Sequence, residues 1–397
     1  MLIRELTLRG ILSFGPDTPP LEMKPLNVLI GPNGSGKSNL VEAIGLLRSS
    51  ATKLTAPMRG VGGSGVSEWI WKGGNGHQAT IEAVLENPPG PRKRTPVQPL
   101  RHSIVFTETS ARFELVDESI ENQKPDYGHQ EPLFFYHFAN GRPVLSVRGN
   151  GDKRQLQRED VAIDESILSQ IKDPETFPEL SYLAAAYSDV RLYREWAFGR
   201  TSIFRSPQSA DLPSGRLEEN FSNLGLFLNH LRGKPAAKRK IIEHLRDLYD
   251  GLDDFDVQIK GGTVEVFLTE GDFTIPASRL SDGTLRYLCL LAILCDPNPA
   301  SLVCIEEPEL GLHPDMLPKI AELMIEASDR TQLIVTTHSD ILVDAMTERP
   351  EAVVVVEKHE GKTLAKRLKA NDELKSYLES YRLGELWMRG FVGGTRW

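Results

Sequence analysis

The feature that most constrains this chain is the run Gly31-Pro-Asn-Gly-Ser-Gly36-Lys37-Ser38, a P-loop pattern of one Gly and four residues followed by Gly-Lys-Ser. A loop that wraps phosphates must turn consecutive backbone N–H groups inward, and glycine permits the close approach and the unusual dihedrals. The strand-like Asn27–Ile30 precedes it, and helical periodicity follows at once, with Leu40, Ala43, Ile44 and Leu47 on one face. A helix starting near Ser38 points the positive end of its dipole at the same phosphates. Lys37 then supplies a point charge for the β- and γ-phosphates, and Ser38 a hydroxyl ligand for Mg²⁺. Asn33, Gly34, Ser35, Gly36 and Asn39 complete the expected ATP-binding set around that loop.

The matching half lies far downstream. The apolar stretch Ser301–Ile305 ends in Glu306 and Glu307, the form of a Walker B element. Glu306 is placed to hold Mg²⁺ through its water shell, and Glu307 to orient and polarise an attacking water. Gln332–Thr337 reads as a strand ending in His338, within reach of a γ-phosphate. Leu280-Ser281-Asp282-Gly283-Thr284 precedes an apolar helix, and a Ser and a Gly at a helix start form a phosphate-binding end without a basic residue. Taken singly, these would read as a cap, a turn or surface charge. Their order along the chain is what joins them into one site.

Composition narrows the class. With 40% hydrophobic and 25% charged residues among 397, the chain is a soluble globular protein of one large two-lobed domain or two ordinary ones. No apolar run approaches the ~18–20 residues of a spanning helix, so no membrane role is expected. The start alternates like a strand and lacks the apolar run and cleavage site of a signal peptide. Cys289, Cys295 and Cys304 sit in apolar runs without metal-ligand spacing, as reduced core residues of a cytoplasmic protein do. A net charge of −9 argues against a surface that binds nucleic acid as a whole. Two local basic clusters, Arg92-Lys93-Arg94 and Lys238-Arg239-Lys240, leave DNA contact open.

Three parts follow from the pattern: residues 1–163 carry the P-loop and strands of an antiparallel sheet, 164–253 read as a helical insertion, and 254–397 alternate strand and helix. Gly261-Gly262 looks like a hairpin turn. No heptad pattern is sustained over several turns, so this is a head without coiled-coil arms.

With these motifs in place, the chain resembles the stand-alone bacterial predicted ATPases in the RecF/SMC/OLD-like branch of the ABC ATPase superfamily. The opening RELTLRGILSFGPDTPPLEMKPLNVLIGPNGSGKSNLVEAI is similar to the start of RecF-type proteins. LSDGTLR sits where the signature loop belongs, IEEPELGLHP resembles the Walker B and D-loop, and TTHSD matches the switch-histidine region. YREWAFGR and the ending LGELWMRGFVGGTRW also look familiar from this branch, without a role to carry over.

The resemblance implies an α/β fold, an ABC-type head with a mixed sheet, flanking antiparallel strands and a helical lobe. It also implies a head-to-tail homodimer in which ATP on Lys37 and Ser38 of one subunit is covered by Ser281 and Gly283 of another. Glu307 would be the main hydrolytic residue and His338 a γ-phosphate sensor. Gln170, at the entry to the helical part, would be the metal-side Q-loop glutamine, with Gln155, Gln157 and Gln208 as rivals. Glu306 departs from the usual Asp, and His313 falls where many relatives carry the D-loop Asp. Arg59 and Arg286 could stabilise phosphate charge or serve structure. The implied function is an ATP-driven switch on or near DNA, in repair or in defence against mobile elements. Too little chain follows His338 for a Toprim nuclease domain, so an effector partner is expected. The alternatives are the ATPase subunit of a transporter, against which LSDGTLR speaks, and a scaffold that holds ATP without turning it over, which Glu306 would suit.

Overall fold

The computed structural model describes residues 1–59, 65–74, 78–87, 98–139, 142–146, 153–155, 162, 164–248 and 251–394. Its organising element is a six-stranded sheet in the order Arg191–Tyr193, Leu302–Glu306, Gln332–Thr336, Leu26–Ile30, Val353–His359, Lys362–Arg367. The first five strands are parallel and the last pairs antiparallel at the edge. Strands covered on both faces read as continuous apolar runs, and Leu26–Ile30 is buried at every position. Side-chain alternation then sends Leu29, Cys304, Ile334 and Val354 into one core and Val28, Val303, Val335 and Val355 into the other.

The first core lies under the helix Lys37–Ser50 and an eight-stranded antiparallel sheet. That sheet is centred on Ile3–Arg9, Gln78–Leu85, Leu100–Thr109 and Arg112–Asn122. A buried Gln332 joins it to the central sheet: its Oε1 accepts from Leu2 N and Ile3 N, and its Nε2 donates to Ile3 O and Lys24 O. A second polar tie is Glu118, fully buried, which accepts from Ser166 Oγ and from Ile167 N at 2.9 Å. Its Oε1 also lies 3.2 Å from His102 Nε2, and His102 Nδ1 lies 3.1 Å from the Tyr187 hydroxyl. This network fixes the helices Ile167–Gln170 and Pro178–Ser188 against the antiparallel sheet.

The second core lies under Leu224–Arg232, Pro235–Arg246, Asp282–Leu294 and Leu317–Ala327, with a small sheet built on Asp254–Lys260 and Thr263–Glu270. The turn between those two strands is Gly261-Gly262, both at positive φ (58° and 82°), as a primed hairpin requires. All three cysteines are free and buried. The stretch 164–253 is not purely helical. It contributes the edge strand Arg191–Tyr193 to the central sheet, and its helices divide between the two cores. A three-residue strand flanked by charged residues carries no period for the sequence to display.

Candidate nucleotide site

All five parallel strands end on one edge of the central sheet, and the loop after Leu26–Ile30 is the P-loop. Gly31 and Gly36 have φ of 147° and 109°. A Cβ on Gly31 would stand 2.1 Å from Val356 O, and one on Gly36 2.3 Å from Thr363 Oγ1, so glycine is required on both counts. Beneath the loop, Thr363 Oγ1 lies 2.6 Å from Ser35 O and 2.7 Å from Ser13 Oγ, and Asn39 Nδ2 donates to the same Ser13 oxygen at 2.7 Å. Asn39, expected on the nucleotide, therefore supports the loop from below. Asn33, Gly34 and Ser38 are exposed on its outer side.

Lys37 is buried and its Nζ donates to Gly31 O at 2.7 Å and Pro32 O at 3.2 Å. Burial pushes its pKa down to about 8, against the pull of Glu307, Glu309 and Glu306. Those three carboxylates arrive from the strand Leu302–Glu306, where Glu306 pairs with Thr336 of the next strand. Glu307 breaks away at φ 47°, in the left-handed region. A non-glycine residue held there carries strain of about 1–2 kcal/mol. Its backbone is pinned on both sides, the N–H donating to Thr336 O and the carbonyl accepting from Arg286 Nη2, each at 2.9 Å. Its Oε1 lies 3.8 Å from His338 Nε2.

Glu309, which the sequence reading passed over, accepts from Thr337 Oγ1 at 2.8 Å and His338 N at 2.7 Å. Burial raises its pKa. It thus fixes the backbone that carries His338. Nothing marks it in sequence except its place two residues after Glu307.

Gln170 goes elsewhere. Its Oε1 accepts from Ala162 N and its Nε2 donates to Glu165 O and Ser166 O, so the amide closes a local turn rather than facing the carboxylates. Gln157 lies outside the described residues. The side chain delivered beside Glu306 by the neighbouring edge strand is Arg194, not a glutamine: Tyr193 pairs with Ile305, and Arg194 Nε is 3.4 Å from Glu306 Oε2. Burial alone would lower the Arg194 guanidinium, but Glu306 and Glu42 outweigh it and hold it above its usual value.

The remaining residues separate into surface and support. Ser281 is exposed and caps its own helix, accepting from Thr284 N at 3.0 Å. Gly283 backs onto Gly311, whose carbonyl oxygen would meet a Cβ at 3.0 Å. Arg286 is buried over the Trp196 ring (4.4 Å) and serves the Glu307 backbone. Arg59 pairs at the surface with Asp164, and exposed His313 caps the turn before Leu317. In the second basic cluster, Lys238 pairs with Asp254 and Lys240 with Glu326. The first, Arg92-Lys93-Arg94, lies outside the described residues.

Among the described residues, Ser35 Oγ, Glu306 Oε1 and Glu309 Oε2 are buried without a hydrogen-bond partner. Buried acceptors left open in this way are costly, and here they cluster around Lys37. Among the described residues no group of three or more His, Cys, Asp or Glu forms a metal cage. Mg²⁺ typically takes one or two carboxylates and completes its shell with phosphates and water, and Ser38 and Glu306 fit that pattern.

Glycine cradle, buried lysine, paired carboxylates and capped helix start, set on a parallel sheet, define a P-loop ATPase on a fold of the SMC-head kind. The chain belongs to the family described as "AAA domain, putative AbiEii toxin, Type IV TA system", whose model matches residues 26–344. No curated protein matches it in sequence. Among solved structures it is similar to an SMC head bound to the C-winged helix domain of ScpA (17% identity, TM-score 0.59, 93% of this chain and 99% of that one). It is also similar to an SMC head with an extended coiled coil bound to the C-terminal domain of ScpA, derived from Pyrococcus furiosus (16%, 0.58, 96% and 99%). A third is an SMC head with a coiled coil and joint from Pyrococcus yayanosii (13%, 0.52, 96% and 99%). These likenesses concern the fold. No helix among the described residues is long and apolar enough to cross a membrane.

Proposed function

We propose that the chain binds and hydrolyses ATP and works as an ATP-dependent dimerisation switch in the cytoplasm. The observation that carries this reading is the split between a nearly complete phosphate site and an exposed helix start. Lys37, Ser38 and the carboxylates after Ile305 gather at one sheet edge, while Ser281 stands at the surface with only its own helix to cap. Lys37 holds the β- and γ-phosphates, and Ser38 and Glu306 hold the metal. Mg²⁺ neutralises phosphate charge there. Glu307 orients the attacking water, and His338, 3.8 Å away, senses the γ-phosphate. Ser281 and Gly283 of a second subunit close the site as a helix N-terminus facing phosphate.

The output is assigned to a partner effector in DNA repair or in defence against mobile elements. Two findings support a partner: the matched family is described by a toxin of a toxin–antitoxin system, and two of the similar SMC heads are bound to ScpA. The test is the solution mass of Glu307→Gln with and without Mg-ATP. A shift from one subunit to two on adding ATP is expected, and Ser281→Arg should abolish it while leaving nucleotide binding intact. A mass indifferent to ATP overturns the switch.

A further inference from the structure

The segment Arg194–Gly199, part of YREWAFGR, threads between the P-loop helix, the carboxylates and the start of the helix Asp282–Leu294. We propose that Arg194 is a positioning residue whose guanidinium, shared between Glu42 and Glu306, sets how much Mg²⁺ the nucleotide site requires. This rests on the nucleotide-site reading above.

Arg194 Nη2 donates to Glu42 Oε1 at 3.0 Å, whereas its Nε stands 3.4 Å from Glu306 Oε2 without making a hydrogen bond. Arg194 Nε faces Glu306 Oε2 only as a long ion pair, and Glu306 Oε1 is buried with no hydrogen-bond partner among the described residues, so the carboxylate keeps an open acceptor. Left to themselves, a guanidinium and a carboxylate close into a bidentate pair. Glu42 competes with Glu306 for the same guanidinium. Glu42 is four residues after Ser38 on the same helix, hence on the same face as the expected metal ligand. The guanidinium also has room to move, because Glu42, Arg194 and Glu195 line a cavity of about 520 Å³.

A divalent ion bound through Glu306 meets Arg194 as a like charge. Metal is therefore admitted to the extent that Glu42 draws the guanidinium away. Removing Arg194 leaves Glu306 without its competing cation and favours the metal. Neutralising Glu42 releases Arg194 onto Glu306 and opposes it. The two substitutions break the same ion pair and push in opposite directions. Trp196 is placed to report the change, since its Nε1–H donates to Glu306 O at 2.8 Å and its ring lies under Arg286.

The experiment is a free-Mg²⁺ titration of the full chain at fixed ATP, followed by tryptophan fluorescence with Trp196→Phe as the assignment control. Arg194→Ala is expected to lower the Mg²⁺ midpoint by about tenfold, and Glu42→Gln to raise it by about as much, the scale of one unit charge acting on a partly screened divalent ion. Arg194→Gln, which retains most of the side-chain volume, is expected to follow Arg194→Ala. Arg194→Lys restores the charge and should recover most of the wild-type midpoint. Midpoints that move the same way in Arg194→Ala and Glu42→Gln, or do not move, overturn the proposal and leave a structural ion pair. A wild-type chain that binds no ATP overturns the site reading, and this proposal with it.

Discussion

Gly36→Ala tests whether the P-loop is held from below as the structure shows. The new methyl would sit at φ 109°, outside the wells an alanine prefers, and 2.3 Å from Thr363 Oγ1. The backbone strain is about 1–3 kcal/mol. Relieving the contact turns the Thr363 hydroxyl away from Ser35 O and Ser13 Oγ, a loss of about 0.5–1.5 kcal/mol for each hydrogen bond. The total, roughly 2–6 kcal/mol, lies mostly below the ~5–15 kcal/mol that holds a typical domain together. The variant is therefore expected to fold, less stably, with its loop displaced and its ATP affinity lost. Urea unfolding and calorimetric ATP titration measure the two effects. Thr363→Ala removes two of the three atoms in the way, Oγ1 and Cγ2, and leaves Ser13 Oγ at 2.8 Å; the double variant should still be less destabilised than the two single costs imply, by about 1 kcal/mol or more. Strict additivity would show that Gly36 and Thr363 do not meet, and the buttress would be refuted.

Two further outcomes are expected. Glu118→Ala leaves Ser166, Ile167 N–H and His102 without their buried acceptor and should destabilise the chain by about 3 kcal/mol or more, read by thermal unfolding; Glu118→Gln, which keeps an acceptor oxygen, should lose less. Glu82 is held above its usual 4.5 by burial, so its ionised form is penalised in the folded chain. Stability linked to it is greatest below 4.5, where both states are protonated, and falls as pH rises through the higher folded value. Glu82→Gln should then melt higher than wild type near neutral pH and at the same temperature below 4.5, and a gap that widens in acid would contradict this.

The legible parts of the site were those in which local sequence and local geometry coincide. The P-loop needs its glycines where consecutive residues turn, and Leu302–Glu306 is an apolar strand whose end must expose the carboxylates. Contacts between distant segments were not legible. Ser13, Asn39 and Thr363 meet under the loop from three separate stretches, and no periodicity links them. Arg194 was hidden for a related reason, since a three-residue strand among charged residues shows no alternation to place it beside Glu306. Gln170 was attractive because of its place before the helical stretch, but its amide is taken by neighbouring backbone groups. Glu309 has no sequence mark of its own, and only its hydrogen bonds to Thr337 and His338 show what it holds.

The start of the helix Asp282–Leu294 shows why one subunit would join two sites. Asp282 is tied to Arg205 and to Gly199 N, Gly283 backs onto Gly311, and Arg286 holds the Glu307 carbonyl. Ser281 and Arg286 are five residues apart, roughly 7.5 Å along the helix axis. In the head-to-tail pair proposed above, Ser281 would face the partner's phosphates, while Arg286 holds the subunit's own Glu307 carbonyl. Both are carried on a helix whose inner face is fully buried and whose start is bonded from several directions, so they move as one body. Engagement of Ser281 in one site of that pair would then bear on the carboxylate of the other through a stiff link of little more than one helical turn. If the proposed pair forms, positive cooperativity between the two nucleotides is the expected consequence, because each subunit would bring the cover of one site and the carboxylate of the other on a single packed unit.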